Sequence, residues 1–123
     1  MSIDVTVRAS DRCHVIALRG ELDLVAAPFL TCAFEAVLPH ADAVVLDLDQ
    51  LSLIDSSGLV AIIACETQCR KRGVGFAMTE SSPQVRRVFS VAGVTSQLPC
   101  VGRLRRAYAP PASGRTQRRL RSR

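Results

Sequence analysis

Polar and apolar residues alternate from the start of the chain, where Ile3, Val5 and Val7 are separated by Asp4, Thr6 and Arg8. A period of two is that of a strand with one wet face, so the pattern predicts a first strand here. Asp11 and Arg12 read as a turn, and Cys13 to Arg19 as a second strand folding back in a hairpin that Gly20 ends. From Ala26 to Leu38 the spacing becomes helical, with Phe29, Leu30, Ala33, Phe34 and Val37 as the apolar stripe. Pro28 is admissible only in the first turn of that helix, and Pro39 stops it. Ala43 to Asp49 is a third strand, with Val44, Leu46 and Leu48 facing one way and Val45, Asp47 and Asp49 the other.

The run from Leu51 to Val60 reads as the end of that buried strand turning straight into a helix. Leu59, Ile62, Ile63 and Glu66 follow at helical spacing, and Arg70, Lys71 and Arg72 make the basic end that the helix dipole prefers before the glycine stop at Gly73. Val74 to Thr79 is a short strand. Ser82 caps a further helix whose first position is Pro83, with Val85, Val88, Phe89 and Ala92 as its stripe and Gly93 as its C-cap. Ser96 to Val101 reads as a last edge strand. Strands alternating with helices make the class α/β. A sheet covered on both faces shows near-continuous apolar strands, whereas one face here is partly polar, so the helices are expected mainly on one side.

Composition changes this picture at the C-terminus. The chain of 123 residues carries a formal net charge of +5. Residues 1–102 hold eight basic and eleven acidic side chains, whereas residues 103–123 hold eight arginines and no acid. The chain therefore divides into a mildly acidic domain, 1–102, and an arginine-rich tail, 103–123, whose Pro110, Pro111 and polar run have the composition of disorder. The arginines suit nucleic acid or an acidic lipid surface. With Tyr108 as the tail's one stacking aromatic, base-specific recognition is not expected. No apolar run approaches the ~20 residues of a membrane span. The start Ser2-Ile3-Asp4 lacks the pattern of a signal peptide, so a cytoplasmic protein is expected. The five cysteines (Cys13, Cys32, Cys65, Cys69 and Cys100) form no CxxC pair, which favours reduced thiols over a disulfide framework or a zinc site. Cys65 and Cys69 lie one helical turn apart, a spacing open to core packing or to redox sensing.

Candidate chemistry concentrates around Asp55-Ser56-Ser57-Gly58. Ser56 or Ser57 stands where an N-cap belongs. A helix N-terminus carries unpaired N–H groups and roughly half a positive charge, so it tolerates an added anion. A serine there can be a structural cap or a phosphorylation site that turns a neutral surface into one of about −2 charge. Glu21 and Asp23 put two carboxylates in the loop after the second strand, and with no His or third ligand nearby they suggest neither acid–base catalysis nor a metal.

Asp55-Ser56-Ser57-Gly58-Leu59 resembles the signature of the STAS domain family, specifically the anti-sigma factor antagonists. Gly20-Glu21-Leu22-Asp23 resembles the family's loop after the second strand, and the stretch Ser82 to Val94 its third helix with the turn that closes it. The resemblance runs over about Ile3 to Val101. It implies the STAS fold, a mixed, mostly parallel sheet of about five strands with helices mainly on one face. It implies phosphorylation at Ser56 and a partner-binding surface of Glu21, Asp23, Asp55, Ser56, Ser57 and Gly58. The implied partners are an anti-sigma factor that is also a serine kinase, and a PP2C-type phosphatase that restores the unmodified form. Family members finish with a fuller amphipathic helix where this chain has its arginine-rich tail.

Enzymatic readings lack the inventory. His14 and His40 are the only histidines, and a triad of Ser56, His14 and Asp55 would need adjacent residues to serve as nucleophile and orienting acid. No glycine-rich phosphate cradle is present, and no cofactor or metal is expected. The expectation is a non-enzymatic switch that frees a sigma factor until Ser56 is phosphorylated. Its alternatives are a constitutive STAS interaction module, as in a scaffold or lipid-transport accessory subunit, and a redox-gated antagonist.

Overall fold

A computed structural model describes residues 3–98 and 116–121. The elements follow in the order β1 (Ile3–Ser10), β2 (Cys13–Leu22), α1 (Ala27–Val37), β3 (Ala43–Ile54), α2 (Ser56–Lys71), β4 (Gly75–Met78), α3 (Pro83–Ala92) and β5 (Thr116–Arg121). The sheet order is β4-β3-β2-β1-β5. β1 pairs antiparallel with β2 and β5, and β3 pairs parallel with β2 and β4. This is the mixed five-stranded α/β sheet.

Each pairing has a local cause. The β1–β2 turn places Asp11 and Arg12 at φ 50° and 66°, the left-handed pair of a tight two-residue hairpin. The turn is tied to the start of β3, because Asp42 N donates to Arg12 O at 2.8 Å and Arg12 Nε lies 3.1 Å from Asp42 Oδ1. One sheet face carries Ile3, Val5, Ile16, Leu18, Val44, Leu46 and Leu48, all buried. The helices bring Leu30, Phe34, Leu59, Ile62, Cys65, Val85 and Phe89 into the same core cluster. All three helices therefore share one core with one face of the sheet. On the opposite face of β3 the side chains run from buried Val45 through half-buried Asp47 to exposed Asp49. Thr79, buried just past β4, makes that polarity tolerable: its hydroxyl accepts from Leu48 N at 2.8 Å and donates to Asp47 Oδ1 at 3.2 Å.

The structure departs from the sequence-based expectation in three places. β2 does not end at Gly20 but continues to Leu22, and β3 continues past Asp49 to Ile54. Gly20 adopts φ 114°, and the β2–β3 register shifts between Gly20 and Glu21. A bulge absorbs the glycine, and pairing resumes as Glu21↔Leu53 and Leu22↔Ile54. Glu21 thus belongs to a strand and not to a loop. The predicted last strand from Ser96 is instead a 3-10 turn at Thr95–Gln97 followed by buried Leu98, and the rest of that prediction lies outside the described residues. The fifth strand comes from the tail read as disordered, because β1 offers a full-length edge whose backbone groups Thr116–Arg121 can pair. The remainder of the tail lies outside the described residues.

Candidate functional site

The site forms where β2 and β3 both end and α2 begins. Asp55 N donates to Leu22 O at 3.2 Å, so the two strand ends are joined by a backbone bond directly below the helix. The N-cap of α2 is Asp55, whose Oδ1 accepts from Gly58 N at 3.0 Å. Neither serine caps the helix, because the carboxylate one position earlier already holds the first-turn amide. Ser56 is the first helical residue and exposed, and Ser57 is half-buried beside it. Their amides belong to the first turn, which has no intrahelical acceptor for them.

Gly58 sets how closely this helix end approaches the sheet. A Cβ there would strike Leu22 O and come within 2.8 Å of Leu22 Cγ and 2.9 Å of Ile54 Cγ1. No side chain fits between α2 and the β2–β3 ends. The aspartate caps, the glycine admits the contact, and Ser56 is carried outward between them.

The two upstream carboxylates behave differently from each other. Asp23 is held inward: its Oδ1 accepts from Ala26 N at 2.9 Å and its carbonyl from Ala27 N at 2.8 Å, which shapes the turn into α1. Glu21 is half-buried on β2, and its Oε1 is buried without a hydrogen-bond partner among the described residues. Of Glu21, Asp23, Asp55, Ser56 and Ser57, Ser56 alone is both exposed and unused in a cap.

A groove of about 590 Å³ opens beside Ser56, between the starts of α1 and α2. It is lined by Leu24, Ala27, Pro28, Thr31, Cys32, Glu35, Ser56, Ser57 and Val60, mostly apolar surface with Glu35 as its one charge. Leu24 is 71% exposed, Val25 66%, Val60 64% and Leu53 45%, four of the five large exposed hydrophobics among the described residues. Scattered exposed aliphatics mean little, but Leu24 and Val60 line the same groove as Ser56, and an apolar groove beside an exposed hydroxyl marks a contact surface. Sequence reasoning missed these four. Leu24-Val25, an apolar pair in the turn between Asp23 and Ala26, was the available signal.

The cysteines divide by burial. Cys65 and Cys69 lie buried on the core side of α2, where desolvation pushes the first thiol up to about 12 and the second to about 11. Thiols so far from ionisation are poor nucleophiles, which opposes a redox gate built on them. Among the described residues there is no cluster of three or more His, Cys, Asp or Glu that could hold a metal ion, and no helix long and apolar enough to cross a membrane.

A family model described as Mlab, STAS domain matches residues 5–104. An anti-sigma factor antagonist from Mycobacterium paratuberculosis superposes with TM-score 0.73 at 30% identity, covering 80% of this chain and 84% of that one. The chain belongs to the STAS domain family, and its mixed sheet with three helices is the STAS fold. The anti-sigma factor antagonist SpoIIAA in its unphosphorylated form superposes with TM-score 0.69 at 22% identity, covering 79% and 87%. A sulfate transporter family protein from Wolinella succinogenes shares the fold as well, with TM-score 0.64 at 17% identity over 73% and 74%.

Proposed function

We propose that this chain is an anti-sigma factor antagonist, a non-enzymatic cytoplasmic binding protein whose docking surface is switched off by phosphorylation of Ser56. The observation that carries the reading is the division of labour at the start of α2: Asp55 caps, and the exposed Ser56 lines an apolar groove with Leu24 and Val60. The 30% identical antagonist supports the partner class.

In the unmodified state an anti-sigma factor of the serine-kinase type docks in the apolar groove, with Ser56 inside the contact, and the sigma factor it held is released. The kinase transfers the γ-phosphoryl group of ATP to Ser56 Oγ, the hydroxyl proton leaving to a base of the kinase. The helix accepts the modification because no cap is lost and the N-terminal dipole favours an anion. The interface does not. A dianion on the wall of an apolar groove must be desolvated when a partner docks, and it adds charge beside Asp55. A penalty of ~3 kcal/mol weakens binding more than a hundredfold. A PP2C-type phosphatase restores the hydroxyl. Glu21, Asp23, Ser57 and Gly58 serve this surface in different ways: Asp23 and Gly58 build it, Ser57 lines the groove, and Glu21 supplies carboxylate at its β2 side.

The test is capture of partners with wild-type, Ser56→Ala and Ser56→Asp baits, followed by incubation of the captured kinase with ATP and mapping of the phosphate. Wild type and Ser56→Ala should retain an anti-sigma factor, Ser56→Asp should lose it, and the phosphate should appear on Ser56. Identical capture by all three would leave the second reading, a constitutive STAS interaction module, which the likeness to a transporter-family protein favours.

A further inference from the structure

We propose that the outer edge of β1 is a self-association surface for a second copy of this chain, and that β5 covers it in cis as a removable strand. The family match stops at residue 104, whereas β5 begins at Thr116. The strand that closes this edge is therefore an addition to the STAS domain. Without it the sheet would end β4-β3-β2-β1. β4, at the far edge, has only four residues, but β1 presents eight, Ile3–Ser10. A long edge with an apolar face is a template for another strand.

The sequence of β1 suits one occupant in particular. Paired antiparallel with itself about Thr6, the strand sets Asp4 opposite Arg8 of the second copy, and Arg8 opposite its Asp4. In the same register Val5 meets Val7 of the second copy, with Thr6 against Thr6. Val5 and Val7 are both on the buried face, so the two cores would run on into one another. Opposite charges and β-branched pairs directly across are the favourable cross-strand combinations. The two-fold axis satisfies both charge pairs at once, as a closed dimer requires.

β5 blocks this arrangement. It pairs with β1 from Asp4↔Arg121 to Ala9↔Thr116, covering the residues the dimer would use. Its sequence holds Arg118, Arg119 and Arg121, and like charges across paired strands oppose association of two capped molecules through β5. Tethered to its own domain, β5 acts at an effective concentration of roughly millimolar, so the capped monomer prevails in dilute solution. Removal of the strand, by proteolysis or by a competing ligand for the arginines, exposes the edge.

The experiment uses the full chain. The tight turn makes Ser10↔Cys13 a hydrogen-bonded pair, so by alternation Thr6 turns its backbone groups toward β2 and Val7 turns its own toward β5. Arg118→Pro, opposite Val7, therefore removes a backbone donor that faces β1. Sedimentation velocity at micromolar concentration should show wild type as a monomer and Arg118→Pro at twice that mass. Adding Asp4→Arg to Arg118→Pro should return the monomer, and adding Asp4→Arg with Arg8→Asp should restore the dimer by exchanging the charges. A folded but monomeric Arg118→Pro, a dimer indifferent to these charges, or a wild type already dimeric through this edge at micromolar concentration would overturn the proposal. Should Arg118→Pro fail to fold, wild type at millimolar concentration decides instead. A dimer abolished by Asp4→Arg supports the proposal, and a monomer throughout refutes it.

Discussion

Two helices in this molecule begin with serine at or next to the cap, and they use it in opposite ways. At α3, Ser82 is the N-cap, its Oγ accepts from Val85 N at 3.3 Å, and Pro83 and Gln84 follow it exposed. At α2, Asp55 caps and Ser56 follows it exposed, beside an apolar groove. A phosphate on Ser82 would disturb an acceptor the helix needs, whereas Ser56 can be modified without touching a cap. The difference teaches that a regulatory serine at a helix start needs a second residue to take over the structural task. Here that residue is the preceding aspartate.

The comparison can be broken most severely at Gly58. Gly58→Val would drive side-chain atoms into Leu22 and Ile54, separating α2 from the strand ends. A loss of about 3 kcal/mol or more is expected in urea denaturation, together with loss of partner capture. The caps come next. Asp55→Ala and Ser82→Ala should each cost about 1 kcal/mol, since each removes one side-chain acceptor from a first-turn amide. Ser56→Ala should change stability by no more than about 0.5 kcal/mol, because the hydroxyl has no structural task. Equal costs for Ser56→Ala and Ser82→Ala would show the two serines to be alike and remove the basis for the switch.

The smallest effect concerns the opposite end of the sheet. Burial pushes His14 below its ordinary pKa, and the nearby His40 and Arg12 charges act in the same direction. A histidine lowered in the folded state favours folding while neutral. Its contribution is present above the unfolded pKa of about 6.5 and is lost as pH falls through the lower folded value. Thermal stability should therefore decline on acidification below about pH 6.5, and His14→Gln should flatten that decline.

Periodicity in the sequence was sufficient for most of the fold. The alternation of Ile3, Val5 and Val7, the stripe of α1, and the cap and stop at Ser82 and Gly93 are local signals, and each appears in the structure, whereas the α3 stripe holds at Val85, Val88 and Phe89 but not at exposed Ala92. The site was legible only as a cluster of residue types. Local spacing cannot decide between Asp55 and Ser56 as the cap, because both have side-chain oxygens suited to the task. Nor does it show that Gly20 would be absorbed as a bulge, since that depends on β3 running alongside as far as Ile54.

By itself the sequence determined the alternation that makes one sheet face dry, the glycine and proline punctuation, and the motif around Ser56. These rest on interactions within a few residues, where pattern and geometry are nearly the same thing. The tertiary structure alone decided that Leu24, from the turn before α1, and Val60, from α2, line one groove with Ser56. It also decided that an arginine-rich stretch far from β1 in sequence becomes its edge partner. Both depend on surfaces brought together across the chain, and composition does not report the second because an open sheet edge offers backbone pairing to almost any sequence that can reach it.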